Sequence, residues 1–373
     1  MKMNSLLVDS EPTDSGQTDF GETSSGETVS GTEQEGSTPG QNRRRPVPAT
    51  MKAITQDRYG DASEVLSESE VAVPEPGPRE VLLEVHAGGV DQGTWHLVAG
   101  MPLVVRLGFG FRRPKNPVPG LDVSGVVVAL GSEVADLEVG DEVFGIARGS
   151  FAEFAVADAA KIVRRPDALG SIEAAGLAVS GVTALQAVRD SVGVKPGERV
   201  LVIGASGGVG SFAVQIAKSL GAEVTGVCSA AKADLVRSLG ADHVIDYRSE
   251  ALDATGGGFD AIIDTGGANK LRVLRGVLAE RGRLVIVGSE TGGRFIGGVG
   301  RAVRGAILSM FTKQTIRMLM SSEDGDDMAE LARLVEAGAV RVALDQARPR
   351  NQAAATISDL RAGRVRGKMV LTA

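Results

Sequence analysis

From residue 51 onward the apolar positions fall into two rhythms. Over about 51–178 they come in short stretches: Met51–Thr55, Val81–Ala87, Val123–Leu130, Val139–Gly145 and Phe151–Val156. Turn residues separate them at the close spacing of an all-β barrel or sandwich. From about 179 the rhythm becomes strand, helix, strand, helix. Val200–Ile203, Val224–Val227, His243–Asp246, Ala261–Asp264 and Leu284–Val287 are short, mostly apolar runs. Strands buried on both faces of a parallel sheet read this way. Helical segments at 209–220 and 231–239 fill the gaps, so this part predicts a doubly wound α/β domain. Beyond 320 come a helix from Asp327 to Ala337, another near 351–362, and a last strand, Lys368–Thr372. Residues 299–320 predict a basic amphipathic helix with Val299, Val303, Ile307, Met310 and Phe311 on one side. Such a stripe more often packs on its own domain than on a membrane surface. Residues 1–48 are Ser, Thr, Gly and Glu with almost no large apolar side chains. They cannot offset the entropy of ordering and are expected to form a disordered acidic tail.

At 373 residues and 43% apolar, the chain is long enough for two domains with a real core. A single cysteine, Cys228, excludes an internal disulfide framework and a cysteine-rich zinc lobe. It suits a reducing compartment, and a cytoplasmic location is expected. Net charge is −7, but the first 50 residues hold eight acids against four bases, leaving 39 against 36 in the remainder. There is no broad basic surface for a phosphate backbone, which argues against a nucleic-acid partner. No apolar run approaches the roughly 18 residues that cross a bilayer, so no integral membrane segment is expected. Leu6–Val8 is too short for the apolar core of a secretion signal.

The most informative segment is Gly204-Ala205-Ser206-Gly207-Gly208-Val209-Gly210, set between the strand Val200–Ile203 and a helix. Small residues let the backbone approach a pyrophosphate, and the helix N-terminus offers free N–H groups and positive potential. Ala205 stands where many dinucleotide-binding folds have their first glycine. In its strand–turn–helix setting the motif is a strong signal for a dinucleotide. NAD-selective sites place an acid at the end of the second strand to bind the ribose hydroxyls. Here that place holds Cys228 and Ser229, with Lys232 following. Nothing there repels a 2′-phosphate, so the expected cofactor is NADPH rather than NADH. Glu223 lies at the wrong end of the strand, and Asp234 is expected to face out from the next helix.

Five segments carry a family resemblance: Pro119–Val127, Val139–Gly145, Ser180–Ala187, Gly204–Gly210 and Leu239–Tyr247. Over 51–373 the chain resembles the medium-chain dehydrogenase/reductase superfamily, in its zinc-independent quinone oxidoreductase branch near the reticulon-4-interacting protein group. The resemblance implies a GroES-like catalytic domain, 49–178 and 321–373, interrupted by a Rossmann NADP-binding domain, 179–320. It places the active site between them and implies a homodimer. Thr183 would sit near the nicotinamide and Tyr247 beside the adenosine. Gly266 and Gly288 would close the fourth and fifth strands, and Lys368 would be a further contact.

Zinc-dependent members carry a ligating Cys after the second strand, a Gly-His-Glu, and a four-cysteine lobe. This chain has Asp91-Gln92 at the first place, Gly120-Leu121-Asp122 at the second, and no lobe. A site from His96, Asp91 and Asp122 would be an unusual ligand set for catalytic zinc, and no metal is expected. Without a strong Lewis acid, hydride transfer favours quinones and conjugated enones, whose products delocalise charge that a few hydrogen bonds can stabilise. The branch's usual Asn-Pro-x-Asp is replaced by Asp91-Gln92-Gly93-Thr94, and no tyrosine lies in that region. Asp91, Thr94 and His96 are therefore the candidates to line the pocket, with solvent as the proton source. His96 reads more readily as a histidine at the surface or the edge of the core than as a catalytic group, and Trp95 equally as a stacking platform or a core residue. The expected activity is zinc-free, NADPH-dependent reduction of a quinone or enone. An enoyl-thioester reductase and a non-catalytic NADPH-binding sensor or adaptor stay open as rival readings.

Overall fold

Two large sheets divide the chain between them in the computed structural model, which describes residues 46–288, 300–301, 304–305, 309 and 312–373. Most of the tail expected over 1–48 lies outside the described residues. A short hairpin comes first, β1 (Thr50–Thr55) pairing antiparallel with β2 (Ser67–Ala72). The long strand β3 (Glu80–Val90) then centres a seven-stranded sheet. Its order is β14-β15-β3-β4-β5-β7, with β6 also paired to β3. The members are β4 (Asp122–Leu130), β5 (Glu142–Ile146), β6 (Phe154–Asp158), β7 (Ile162–Arg164), β14 (Leu344–Pro349) and β15 (Lys368–Thr372). Pairing is antiparallel throughout except between β14 and β15. Val81, Leu83, Val85, Val123, Val127 and Val143 point into one core, as the alternation in the sequence requires.

The second sheet is parallel. It comprises β8 (Arg199–Ile203), β9 (Glu223–Cys228), β10 (His243–Asp246), β11 (Phe259–Asp264), β12 (Leu278–Ile286) and β13 (Thr315–Met318), ordered β10-β9-β8-β11-β12-β13. The strand order reverses between β8 and β11, and in such sheets ligands bind at the carboxyl ends beside that reversal. The helix Gly208–Ser219 follows β8, and its residues 210–217 are all buried.

The helix expected over 299–320 is corrected at its C-terminal end. Thr315–Met318 is a strand, paired residue for residue with Arg283–Ile286 of β12. Apolar residues spaced for a helix face were outweighed by an open strand edge, which β-branched Thr315 and Ile316 fit well. The side-chain amide of Gln314 donates to the Arg275 and Ala279 carbonyls at 3.0 and 3.3 Å, fixing the entry to that strand. Val299, Val303, Ile307, Met310 and Phe311, the expected apolar side, lie outside the described residues.

The two sheets meet around the helix Ala178–Leu185, which packs on Gly208–Ser219. Val182 and Leu185 share a buried cluster with Val200 and Val202 of the parallel sheet, with Phe212 and Ile216 of the helix Gly208–Ser219, and with Phe144 and Ile146 of the other sheet. The segment that opens β15 ties the sheets again, since Gly367 N–H donates to the Ser206 carbonyl at 2.8 Å.

Candidate active site

The turn after β8 is shaped by contacts that only glycine permits. Gly204 adopts φ +79°, and a Cβ at Gly210 would fall 2.1 Å from the Gly204 oxygen. The helix therefore starts pressed against the strand end. Ala205 is buried, and Ser206 nearly so. Gly207 caps the helix with no side-chain hydrogen bond. Its first-turn N–H groups, at Gly208, Val209 and Gly210, have no acceptor outside the helix among the described residues, the arrangement that receives a pyrophosphate. Thr265 Oγ1 donates to the Ile203 carbonyl at 2.7 Å and joins the ends of β8 and β11. Gly266 and Gly288 stand just beyond β11 and β12, at the same carboxyl edge.

The end of β9 is more complicated than its own sequence shows. Cys228 and Ser229 are buried there, and burial, with Asp246 adding to it, pushes the Cys228 thiol up. Asp246 is the strand partner of Cys228 across the β9–β10 pair, so a carboxylate does lie beside the neutral strand end. Its oxygens are engaged in the next turn: Oδ1 accepts the Arg248 N–H at 3.1 Å and Oδ2 the Ser249 hydroxyl at 3.2 Å. Lys232 Nζ donates to the Gly363 and Val365 carbonyls at 2.8 and 2.6 Å, bridging to the segment before β15. Burial lowers its pKa, and the nearby positive charges of Arg366 and Arg248 add to the effect against Asp345. Tyr247 is 59% exposed, with the Arg248 guanidinium 5.8 Å from its ring centre. Asp234 faces solvent beside Arg237, as expected.

Beneath the turn lies an arrangement with no counterpart in any local motif. Lys368, the first residue of β15, is 1% exposed, and its ammonium donates to Asp122 Oδ2 and Ser180 Oγ, both at 3.0 Å. Asp91 Oδ2 lies 3.8 Å from the same nitrogen, beyond hydrogen-bond length, and has no hydrogen-bond partner among the described residues. Asp122 Oδ1 accepts the Val179 N–H at 2.6 Å. A Cβ at Gly208 would meet Ser180 Oγ at 3.0 Å and Lys368 Cδ at 3.2 Å, so the lysine stem runs against the phosphate turn. Burial pushes Asp122 up to about 6, opposed by Lys368 and reinforced by Asp91. For Lys368 burial acts downward, but the two carboxylates outweigh it and hold the ammonium above its usual range. The cluster therefore carries a firmly held buried cation between two acids.

The three pocket candidates separate. Asp91 caps the helix Gln92–Ala99, its Oδ1 accepting the Thr94 N–H at 2.8 Å and the Thr94 hydroxyl at 3.1 Å. Both belong to the lysine cluster's wall. His96 Nδ1 instead meets the Met101 carbonyl, and its ring packs 4.8 Å from Trp95. Trp95 is covered by the Arg361 guanidinium at 3.8 Å. Thr183 Oγ1 donates to the Val179 carbonyl at 2.6 Å and approaches Ser321 Oγ at 3.4 Å. A cavity of about 480 Å³, lined by Leu97, Phe109, Val118, Gly120, Leu121 and Gly149 among others, opens beside Leu121, the neighbour of Asp122.

Residues 77–167 match the family described as Alcohol dehydrogenase GroES-like domain, and 239–371 the family described as Zinc-binding dehydrogenase. The chain is 32% identical to the Chloroplast envelope quinone oxidoreductase homolog of Arabidopsis thaliana, covering 86% of this chain and 98% of the relative. It is 30% identical to 2-methylene-furan-3-one reductase of Solanum lycopersicum, over 87% and 80% of the two chains. Mycobacterial Rv1454c, solved in complex with NADPH, superposes with a TM-score of 0.73 at 28% identity, over 87% of this chain and 100% of that one. The zinc in the second family's description does not fit the residues present. Asp91 and Asp122 are brought together, but an ammonium already lies between them, and His96 Nδ1 is turned to a backbone carbonyl. No group of three His, Cys, Asp or Glu able to hold a metal occurs among the described residues. The chain belongs to the medium-chain dehydrogenase/reductase superfamily, among its quinone oxidoreductases.

Proposed function

We propose that this protein is a zinc-independent, NADPH-dependent reductase that passes hydride to a quinone or a conjugated carbonyl. The observation that carries the reading is the Lys368 ammonium seated against Asp122 and Asp91 directly beneath the phosphate turn. The fixed ammonium occupies the space between the two acids and balances their charge, so the site is organised without a metal. NADPH, when bound, supplies the hydride from its nicotinamide.

Every other part of the chemistry falls to residues of the chain. The free N–H groups of Gly208, Val209 and Gly210 hold the pyrophosphate, with Ala205, Ser206 and Gly207 shaping the turn. Ser229, Lys232 and Tyr247 receive the adenosine end, where Arg248 and Arg366 add positive charge for a 2′-phosphate and Asp246 is already occupied by its own turn. Thr183, Gly266 and Gly288 border the nicotinamide half. The apolar cavity beside Leu121 takes a flat, weakly polar acceptor. Gln56, Asn116 and Arg148 belong to its polar lining, Asp91 and Thr94 hold the lysine cluster beside it, and water supplies the proton that completes the hydroquinone or saturated carbonyl. His96 acts by shaping the Met101 turn rather than by proton transfer.

The working division is a catalytic lobe of 49–178 and 321–373 around a nucleotide lobe of 179–320. The reading has the protein cytoplasmic and homodimeric, in keeping with its single cysteine and the family resemblance. No described helix is long and apolar enough to cross a membrane. The test is consumption of NADPH, with NADH as control, on an ortho-quinone, an enone and an enoyl-thioester in parallel. Turnover of the quinone or enone with NADPH is expected. Turnover of the thioester alone overturns the substrate class, and tight NADPH binding with no turnover on any acceptor overturns the enzyme.

A further inference from the structure

The segment Leu103–Lys115, beside the mouth of the apolar cavity, combines features that the hydride chemistry does not need. Leu107 and Phe111 are each 74% exposed, and Phe109 and Val104 are also exposed. Arg112, Arg113 and Lys115 follow them directly in the chain, exposed and without an ion pair among the described residues. No carboxylate occurs in sequence between Asp91 and Asp122. Asp57 and Glu64 line an adjoining groove together with Arg113 and Lys115.

The apolar side chains are held out by a built support. The Tyr59 hydroxyl donates to the Gly110 carbonyl at 2.7 Å, and Arg106 Nε donates to the Gly100 carbonyl at 2.9 Å. The Arg106 guanidinium covers the Tyr59 ring at 4.5 Å. Lys115 N–H donates to the Phe109 carbonyl at 2.8 Å, closing the loop on itself. Leaving several large apolar groups in water has a free-energy cost that some function must offset.

We propose that Leu103–Lys115 is a peripheral membrane-docking surface, in which Leu107 and Phe111 enter the interface of an anionic bilayer and Arg112, Arg113 and Lys115 meet its headgroups. A fixed apolar wedge with a run of cations beside it is the chemistry that interface selects. A second copy of the chain fits less well, because a two-fold contact through this patch would set the three cations against their own images. Gly108, Phe109 and Lys115 also line the cavity, so docking would open it toward the lipid, where a lipophilic acceptor dissolves. The surface stands apart from the hydride reading, because vesicle binding needs no turnover.

The experiment is co-sedimentation of the full chain with phosphatidylcholine vesicles, with and without phosphatidylglycerol, for wild type, L107S/F111S and R112Q/R113Q. Soluble-quinone turnover and thermal melting of each variant report on folding. Wild type is expected to bind only the anionic vesicles. L107S/F111S is expected to lose about tenfold or more in binding, and R112Q/R113Q about fivefold per cation removed. Absence of binding by wild type, or equal binding by all three proteins, overturns the proposal. So does sedimentation velocity showing a wild-type dimer that L107S/F111S dissociates, which would assign the surface to a second copy.

Discussion

The phosphate turn and the lysine cluster lie against each other but are made in different ways. The turn is backbone. Its shape comes from Gly204, Gly207, Gly208 and Gly210, all within seven consecutive residues, and its binding capacity from helix N–H groups. The cluster is centred on charged side chains, two of them also held by backbone N–H groups, and Lys368 reaches partners 188 and 246 residues away in the chain. A backbone site tolerates changes of chemistry nearby but not of volume. A buried charge site behaves the opposite way, tolerating small changes of volume but not the loss of one charge. Their contact at Gly208 makes each a probe of the other.

The sharpest way to break the comparison is at the cluster. Lys368→Met leaves two buried carboxylates facing each other and is expected to cost about 3–5 kcal/mol of stability. K368M/D122N, which removes charges of both signs, should recover much of that loss. Chemical denaturation of the three proteins measures the difference, and a double variant no better than the single would show the pair to be uncoupled. The turn comes next. Gly210→Val drives its side chain into the Gly204 carbonyl and should cost about 1–3 kcal/mol. Calorimetric titration should show it weakening NADPH and NADH alike, since the pyrophosphate is common to both.

A pH series sharpens the same contrast. Asp122 holds its proton to about 6 in the folded chain, whereas an unfolded Asp releases it near 3.9. The folded state binds the extra proton between those values, so this carboxyl's contribution falls as pH rises from about 4 to about 6. Lys368 is shifted upward, and its contribution persists through neutral pH. Thermal melts should show the advantage of wild type over K368M/D122N shrinking across that window and level above it. A flat difference would mean that Asp122 titrates as an ordinary carboxylate. The smallest effect belongs to Lys232→Ala, expected to weaken NADPH by about tenfold while leaving NADH little changed. Equal weakening of both would reduce Lys232 to its bridge with Gly363 and Val365.

The same contrast explains what could be read from the sequence. The turn was legible because its residues are consecutive and its flanking strand and helix announce themselves by hydrophobic period. The alternation of β4 and the apolar runs of β8 and β11 likewise fix which residues face the core. Lys368 could be marked only as a contact near the C-terminus. The available signal was a lysine opening the apolar run Met369–Leu371, a place where burial demands an acid, but nothing local names Asp122, Ser180 or Asp91 as the partners. Asp246 escaped for the same reason, since its nearness to Cys228 is a matter of strand register. Thr315–Met318 reads as helix in the sequence because edge pairing with β12 is tertiary information.

The central claim of the proposed function is that hydride transfer proceeds without zinc, at a site where the buried Lys368 ammonium already lies between Asp91 and Asp122. It is tested most directly by measuring zinc content by mass spectrometry together with NADPH-dependent quinone turnover, before and after exhaustive chelation. Substoichiometric zinc and unchanged turnover are the expected result. One zinc per chain, whose removal abolishes turnover and whose return restores it, would contradict the account.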